Sequence, residues 1–260
     1  MVYNTLFVGK VRIHLDKIDS TNKYATQLLK NEGVREGTII STAHQFAGKG
    51  QRGNTWESEV GQNITLSLIL YPHFILAYQQ FLLSQSISLA IQSFATEILG
   101  EGVCIKWPND IYYRDKKITG ILIENSLSGK SISSSIVGIG INVNQAYFSP
   151  FLQYATSFHQ ITNKIYNLPS LIQQLAHHIE ARYFQLKAMR FDLIQRNYLS
   201  KLYRFNEWHS FEDMATNILF EGKIVDVQKD GKLVIEVKGT MDGFGNKRRV
   251  FGLKEVKFVL

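Results

Sequence analysis

The sequence has one cysteine, no long apolar run and no leader-like start, and each of these absences narrows what the chain can be. Cys104, alone among 260 residues, excludes an internal disulfide framework and a cysteine-based structural zinc site, both of which need several thiols. No stretch approaches the roughly 20 consecutive apolar residues of a spanning helix. The opening MVYNTLFVGKVRIHLDKIDSTN lacks the apolar core and small-residue cleavage site of a secretory signal. Asn63-Ile64-Thr65 matches a glycosylation sequon, but without a secretion signal the match is coincidental. Repeats, low-complexity tracts and long linkers are missing too. The expectation is a cytoplasmic protein with no membrane partner. Its hydrophobic content of 45% and charged content of 20% are those of an ordinary globular protein, long enough to bury a core in one large or two unequal domains.

The formal net charge of +7 favours anionic partners without choosing among nucleic acid, nucleotide phosphates and an acidic protein surface. A generic basic face reads equally well. From Ser210 onward nine Lys or Arg stand against eight Asp or Glu, so the excess lies in the first four-fifths of the chain. A tail so balanced gives little support to a non-catalytic nucleic-acid-binding module, which would cluster basic and aromatic residues there.

Along the chain, Val11 to Leu15 is strand-like, and Ser20-Thr21-Asn22 offers an N-cap to a helix through about Lys30, with Tyr24, Ala25, Leu28 and Leu29 on one face. Gly37 to Ala43 and Asn63 to Tyr71 read as strands, Ala77 to Leu99 as a long buried helix. Val103 to Lys106, Asp110 to Tyr113, Lys117 to Asn125 and Ser133 to Asn142 form a β-rich run, followed by helices over Leu168 to Met189 and Phe191 to Leu202. After about Asn206 the pattern changes: Asn217 to Val227, Lys232 to Lys238 and Arg248 to Leu260 alternate apolar and polar residues around the turn signals Asp230-Gly231 and Gly239 to Gly245. The expected division is a mixed α+β domain over 1–206 and a small β unit over 207–260.

The stretch from Gln45 to Trp56, QFAGKGQRGNTW, holds three glycines in the pattern GxGxxG at Gly48, Gly50 and Gly53, and nearly fits a P-loop. Both nucleotide folds are rejected. Asn54 stands where the P-loop lysine belongs, and a strand follows instead of a helix whose amino end would face the phosphate. What remains is a flexible cationic loop, its glycines permitting close backbone approach and Lys49 and Arg52 supplying charge. Alone it reads equally as a solvated hairpin turn.

In Lys106 to Glu124, KWPNDIYYRDKKITGILIE, Pro108 favours an extended Trp107. Asn109 and Asp110 are polar groups at the mouth of a β-hairpin with its turn at Arg114 to Lys116. Lys117 begins the return strand, where a lysine is most often simply solvated, and Gly120 leaves space for a ligand. Gly138-Ile139-Gly140-Ile141-Asn142 is a strand with two side chains missing from one face: a flat floor, or a site of tight packing. Asn142 offers both a donor and an acceptor.

These pieces resemble the biotin–protein ligase family: STN at Ser20 to Asn22, QxxGKGQRGNxW from Gln45 to Trp56, KWPND from Lys106 to Asp110, KITGILIE from Lys117 to Glu124, and GIGINVN from Gly138 to Asn144. Five motifs in family order and spacing cover most of the mixed domain. The resemblance implies an α+β fold, a mixed β-sheet with helices of the class II aminoacyl-tRNA synthetase-like kind, followed by a small SH3-like β-barrel domain. It implies ATP-dependent formation of biotinyl-adenylate and transfer of biotin to a lysine of a biotin carboxyl carrier protein or domain, with Mg²⁺ carried on the ATP and no resident metal. Ser20, Thr21, Asn22 and Gln45 would bind the biotin head. The Gly48–Gly53 loop, with Lys49, Gly50, Gln51 and Arg52, would close over the biotin chain and phosphate. Lys117, beside Gly120, would contact the carboxylate and then the adenylate, with Lys49 and Arg52 sharing the catalytic charge. Trp56 would stack near adenine, Asn142 would add a polar contact, and Lys106, Asn109 and Asp110 would line the ATP side. No covalent enzyme intermediate is required, and the apolar run Val103 to Ile105 suggests plain burial for Cys104.

Lys49 and Gln51 stand where the family often has arginine, so this loop is expected to hold the adenylate less tightly. The ligase motifs begin by Ser20, which leaves no room for the amino-terminal helix-turn-helix of some members, and no sequence-specific DNA binding is expected. Monomer and homodimer are both compatible. The rival enzyme is a lipoate–protein ligase of similar fold and chemistry, against which KWPND and GKGQRG argue. An inactive biotin-binding relative would bind without consuming ATP.

Overall fold

A computed structural model describes residues 3–30, 33–50, 54–239 and 246–259. Its larger sheet has seven strands: β1 (Arg12–Ile18), β2 (Ile39–Gln45), β3 (Ile64–Leu70), β4 (Val103–Lys106), β5 (Asp110–Tyr113), β6 (Lys116–Ser128) and β7 (Ser131–Ile141), in the order β1-β2-β3-β7-β6-β5-β4. β1 and β2 are parallel, joined through helix α1 (Thr21–Leu28), and the other pairings are antiparallel. The sheet is therefore mixed, as expected.

The strand β3, ITLSLIL, is buried along its whole length because both faces of the sheet are covered. Ile64, Leu66, Leu68 and Leu70 join the core beneath α2 (Phe81–Leu99) and α4 (Leu168–Lys187), while Ile69 packs with Ile40, Ile136 and Ala25 of α1 on the opposite face. Thr65 and Ser67 fall on that second face by strand alternation. α1 starts where it does because Ser20 is extended (φ −156°, ψ 129°) and its hydroxyl accepts from the Lys23 amide. Its apolar residues hold the helix so that its first turn reaches the strand ends.

Two further helices, α3 (Phe158–Thr162) and α5 (Phe191–Ser200), lead to a second sheet: β8 (Trp208–Asp213), β9 (Ile218–Val227), β10 (Leu233–Val237), β11 (Lys247–Phe251) and β12 (Val256–Phe258), antiparallel in the order β11-β10-β9-β8-β12. Phe211, Ile224, Val227 and Leu233 of this sheet belong to the same apolar core as Phe81, Trp107 and Tyr198.

Two expectations are corrected and one strand is added. The helix expected from Ala77 begins at Phe81; Ala77 to Gln79 form a 3-10 turn whose first amide is bonded to the Lys130 carbonyl at 2.9 Å, tying it to the β6–β7 turn. The stretch expected to alternate from Arg248 is broken into two strands, Lys247–Phe251 and Val256–Phe258, with Leu260 outside the described residues: the Glu255 carboxylate caps the Gly252 amide (2.6 Å) and Lys254 takes a left-handed φ of 67°, forming a turn. β8 was not anticipated, because one of its inward positions is Asp213, which is buried against Arg249 of β11.

Candidate active site

The site lies on the α1 face, where side chains are missing from the sheet. Across the strands, Thr65, Gly140 and Gly120 are neighbours in one row, and Ser67, Gly138 and Leu122 in the next. The result is a trough. It opens into a cleft of about 570 Å³ lined by Ser20, Thr21, Asn22, Gln45, Lys49, Gly50, Trp56, Asp110, Lys117 and Gly120, all expected from the sequence.

One end is a hydrogen-bonded circuit. The Gln45 carbonyl oxygen Oε1 accepts from the Thr21 amide at 2.9 Å and its hydroxyl at 3.2 Å. Ser67 Oγ stands 2.8 Å from Thr21 Oγ1 and 2.6 Å from Asn22 Oδ1, and Asn22 Nδ2 donates to the Glu124 carboxylate at 2.6 Å. Thr21, Asn22 and Ser67 at its centre are buried, with Gln45 half-buried and Glu124 exposed at its edges; paired polar groups at a buried centre are held rigidly, so this end presents fixed donors and acceptors. Ser67 and Glu124 were not assigned from the sequence. The available signal was a lone serine inside an apolar strand, and a carboxylate closing KITGILIE.

At the other end Lys117 Nζ pairs with Asp110 Oδ2 at 2.6 Å, and both side chains are about one-third exposed (32% and 29%). The lysine backbone is clamped on both sides, its amide donating to the Tyr154 carbonyl (2.6 Å) and its carbonyl accepting from the Thr156 amide (2.9 Å). The neighbouring loop places Leu152 in the cleft wall and leaves Tyr147 and Phe151 almost wholly exposed. This loop too was missed.

The glycine loop folds back over the trough as a hairpin: the Gly50 amide donates to the Asn54 carbonyl (2.7 Å) and the Trp56 amide to the Gly48 carbonyl (3.0 Å). A side chain at Gly48 would stand 2.5 Å from the Trp56 carbonyl oxygen, so the turn needs glycine there. Trp56 lays its indole on the floor: a Cβ at Gly120 would come within 2.7 Å of the ring, and one at Gly140 would overlap it. The Trp56 Nε1–H is buried and without a partner among the described residues. Gln51, Arg52 and Gly53 lie outside the described residues.

Four expected residues do not line this cleft: Gly48, in the hairpin just described, and Asn109, Asn142 and Lys106. Asn109 is buried and donates to the Ile121 carbonyl (3.2 Å); Asn142 is buried and donates to the Thr156 carbonyl (3.0 Å), its Oδ1 lacking a partner among the described residues. Lys106 lines a second cleft of about 490 Å³ with Lys254, Lys257 and Phe258, joined to the first by Asn54. Its ammonium sits 3.3 Å from the Tyr112 hydroxyl and over the rings of Tyr112 (4.8 Å) and Phe258 (5.2 Å). Burial, only partly countered by the attraction of Asp110, holds Lys106 below the ordinary lysine pKa. The unfolded chain therefore keeps that proton to higher pH than the folded one, and stability rises with pH through the window just below the ordinary lysine value. Replacing Lys106 with methionine is expected to raise Tm by about 2 °C at neutral pH and to abolish this alkaline gain in thermal melts; a fall in Tm would refute it.

Burial pushes the Cys104 thiol up to about 12, so it stays protonated and is a poor nucleophile at neutral pH. Among the described residues no group of three or more His, Cys, Asp or Glu side chains could hold a metal ion, and no helix is long and apolar enough to cross a membrane.

Residues 15–142, which supply every residue lining this cleft except Leu152, match the model of the biotin/lipoate A/B protein ligase family. The chain is 31% identical over 237 residues to the bifunctional ligase/repressor BirA of Bacillus spizizenii, covering 90% of this chain and 72% of that protein. The chain belongs to the biotin/lipoate A/B protein ligase family. Within that family it is 36% identical over 132 residues to the biotin–[acetyl-CoA-carboxylase] ligase of Paracoccus denitrificans, about half of each chain (50% and 53%). The biotin protein ligase of Aquifex aeolicus, solved in complex with biotin and ATP, superposes with a TM-score of 0.76 at 27% identity, covering 96% of this chain and 100% of that one. The likeness spans the second sheet as well as the first.

Proposed function

We propose that the chain is a biotin–protein ligase, which activates biotin with ATP and passes the biotinyl group to a lysine of a biotin carboxyl carrier domain. The observation that carries this reading is the trough itself, with a rigid circuit of donors and acceptors at one end and a lysine at the other. Biotin has that form: a compact ureido head with a carbonyl and two N–H groups, then a chain ending in a carboxylate. The head would sit at Ser20, Thr21, Asn22 and Gln45, its chain over Gly138 and Gly140, and its carboxylate at Lys117. Trp56 occupies part of that floor, so the indole would turn outward on binding and face the adenine ring. Asp110, Lys106 and Asn109 would border the ATP side, with Asn142 behind them. Mg²⁺ would arrive on the triphosphate, since its ligands are supplied mainly by phosphate oxygens. In this reading residues 1–206 carry the chemistry, 207–260 form the accessory β unit, and the reaction belongs to the cytoplasm, where ATP is supplied.

In the first step a biotin carboxylate oxygen attacks the α-phosphorus of ATP, a P–O bond forms, and the bond to the β-phosphate breaks to release pyrophosphate. Two anions must approach. A unit positive charge about 4 Å away is worth roughly 4 kcal/mol at an effective dielectric of about 20, and Lys117 supplies it once ligand oxygens displace Asp110. In the second step the neutral amine of the carrier lysine attacks the acyl carbon, loses a proton, and AMP leaves. The loop over Gly48 to Gly53 would exclude water from the mixed anhydride between the two steps.

Glu124→Ala removes the acceptor that orients the Asn22 amide. Biotin affinity is expected to fall between about 10-fold and 100-fold with ATP affinity unchanged, read by calorimetric titration of each ligand; equal affinity in variant and native protein would refute the assignment. The whole reading is tested by incubating the protein with ATP, Mg²⁺, biotin and a biotin carboxyl carrier domain, then probing the carrier with streptavidin, with lipoate tested in parallel. Label on the carrier is expected; its absence, or preferential transfer of lipoate, would overturn the reading.

A further inference from the structure

Residues 107–110, which lead from β4 into β5, are held by three different parts of the molecule, the second sheet, α5 and β6, with one bond per residue. The Trp107 indole N–H donates to the Gly231 carbonyl at 2.9 Å, in the turn between β9 and β10 of the second sheet. The Tyr198 hydroxyl of α5 donates to the Pro108 carbonyl at 2.6 Å, the Asn109 amide to the Ile121 carbonyl of β6 at 3.2 Å, and Asp110 meets Lys117 at 2.6 Å. The second sheet reaches this segment through Trp107, which is 7% exposed. A bond so shielded from water is costly to leave unmade. Its acceptor cannot drift either: Gly231 has φ +91°, and a Cβ there would come within 2.7 Å of the Phe81 ring of α2, so the turn presses directly on the helix.

We propose that Trp107 is a positioning residue for the ATP half of the reaction, and that the second sheet acts on that half through the bond from the indole to Gly231. This rests on the ligase reading above. The plane of the indole is set by the second sheet, and the backbone that leaves it runs through Pro108 and Asn109 to Asp110, the partner of Lys117. Lys106 precedes it directly. Misplacing such groups by an ångström can cost up to about 100-fold in rate, whereas the circuit around Thr21 and Asn22 does not touch Trp107. Loss of the bond therefore weakens the use of ATP and leaves biotin binding intact.

A second tie joins the same two bodies without touching the segment. Gln85 of α2 donates to Gln195 of α5 at 2.5 Å, and Gln195 donates to the Val227 carbonyl of β9 at 2.7 Å. It separates positioning from simple docking. Pyrophosphate exchange, with ATP and biotin varied in turn, is measured for the native enzyme, Trp107→Phe, Gly231→Ala and Gln195→Ala, with melting curves for each. Trp107→Phe keeps an apolar ring and removes the donor; about a tenfold rise in KM for ATP is expected, with KM for biotin within about twofold. Gly231→Ala breaks the same bond from the other side and should give the same split. Gln195→Ala should lower Tm without the split. Equal effects on both substrates in Trp107→Phe, no effect at all, or the ATP-specific rise in Gln195→Ala would overturn the proposal. Absence of exchange in the native enzyme would instead sink the ligase reading, and this inference with it.

Discussion

Lys117→Ala is expected to slow biotinyl-adenylate formation by about a hundredfold or more, the scale of losing a preorganised donor aimed at a developing anion. The geometry makes this effect separable from folding. The Lys117–Asp110 pair is about one-third exposed on each side, and ion pairs of that kind contribute only about 0–1 kcal/mol to stability. The main-chain clamp to Tyr154 and Thr156 does not depend on the side chain. Tm should therefore shift by no more than about 3 °C while pyrophosphate exchange collapses. Lys117→Arg should not restore the rate, because the planar fork replaces a compact ammonium in a place set by β6. Exchange within tenfold of native in Lys117→Ala would remove the lysine from the chemistry.

Gly140→Ala should be as damaging, for a steric reason. The added methyl would stand 2.6 Å from Trp56 Nε1 and Cζ2, and closer still to the ring fusion, so the indole and a ligand would contest a floor raised by one carbon. A loss of about a hundredfold in biotin affinity is expected, since overpacking costs about 1–3 kcal/mol and the methyl also stands on the floor where the biotin chain would lie. Gly129→Ala is the control: it lies in the β6–β7 turn with φ +58° and nothing within 4 Å of its Cβ, so it carries only a backbone cost. The double variant Gly140→Ala, Trp56→Ala should regain much of the lost affinity, because the collision partner is gone; strictly additive losses would show that the two positions do not meet.

Much of this site was legible in the chain because its glycines alternate. A period of two at Gly138 and Gly140 can only clear one face of a strand, and the floor it foretold is present. That the trough would be floored by Gly120 as well, and covered by Trp56, depends on the pairing of β6 with β7 and on how far the loop reaches, which no local pattern encodes. The polar circuit was half visible: Thr21, Asn22 and Gln45 were given roles from their motifs, whereas Ser67, and Glu124 at the end of KITGILIE, acquire a role only from partners 45 and 102 residues away. Lys106 illustrates the same limit. KWPND placed it near the chemistry, but its cage is closed by Phe258 of the last strand. In the fold, the strands with apolar alternation were found, and β8 was not, because Asp213 hides a charge inside by pairing with Arg249, 36 residues further on.

The apolar core that runs from α2 into the second sheet has a consequence for cooperativity. Phe81, Trp107 and Tyr198 share one cluster with Phe211, Ile224, Val227 and Leu233, so the main core is continuous across the junction of the two sheets and melting of one exposes part of the other's. Heating should produce a single transition seen identically by far-ultraviolet dichroism and tryptophan emission, the mark of all-or-none unfolding. A chain cut near residue 206 would uncover Phe81 and Trp107 and lose its sharp transition, behaving as an expanded, dye-binding state with most of its secondary structure retained.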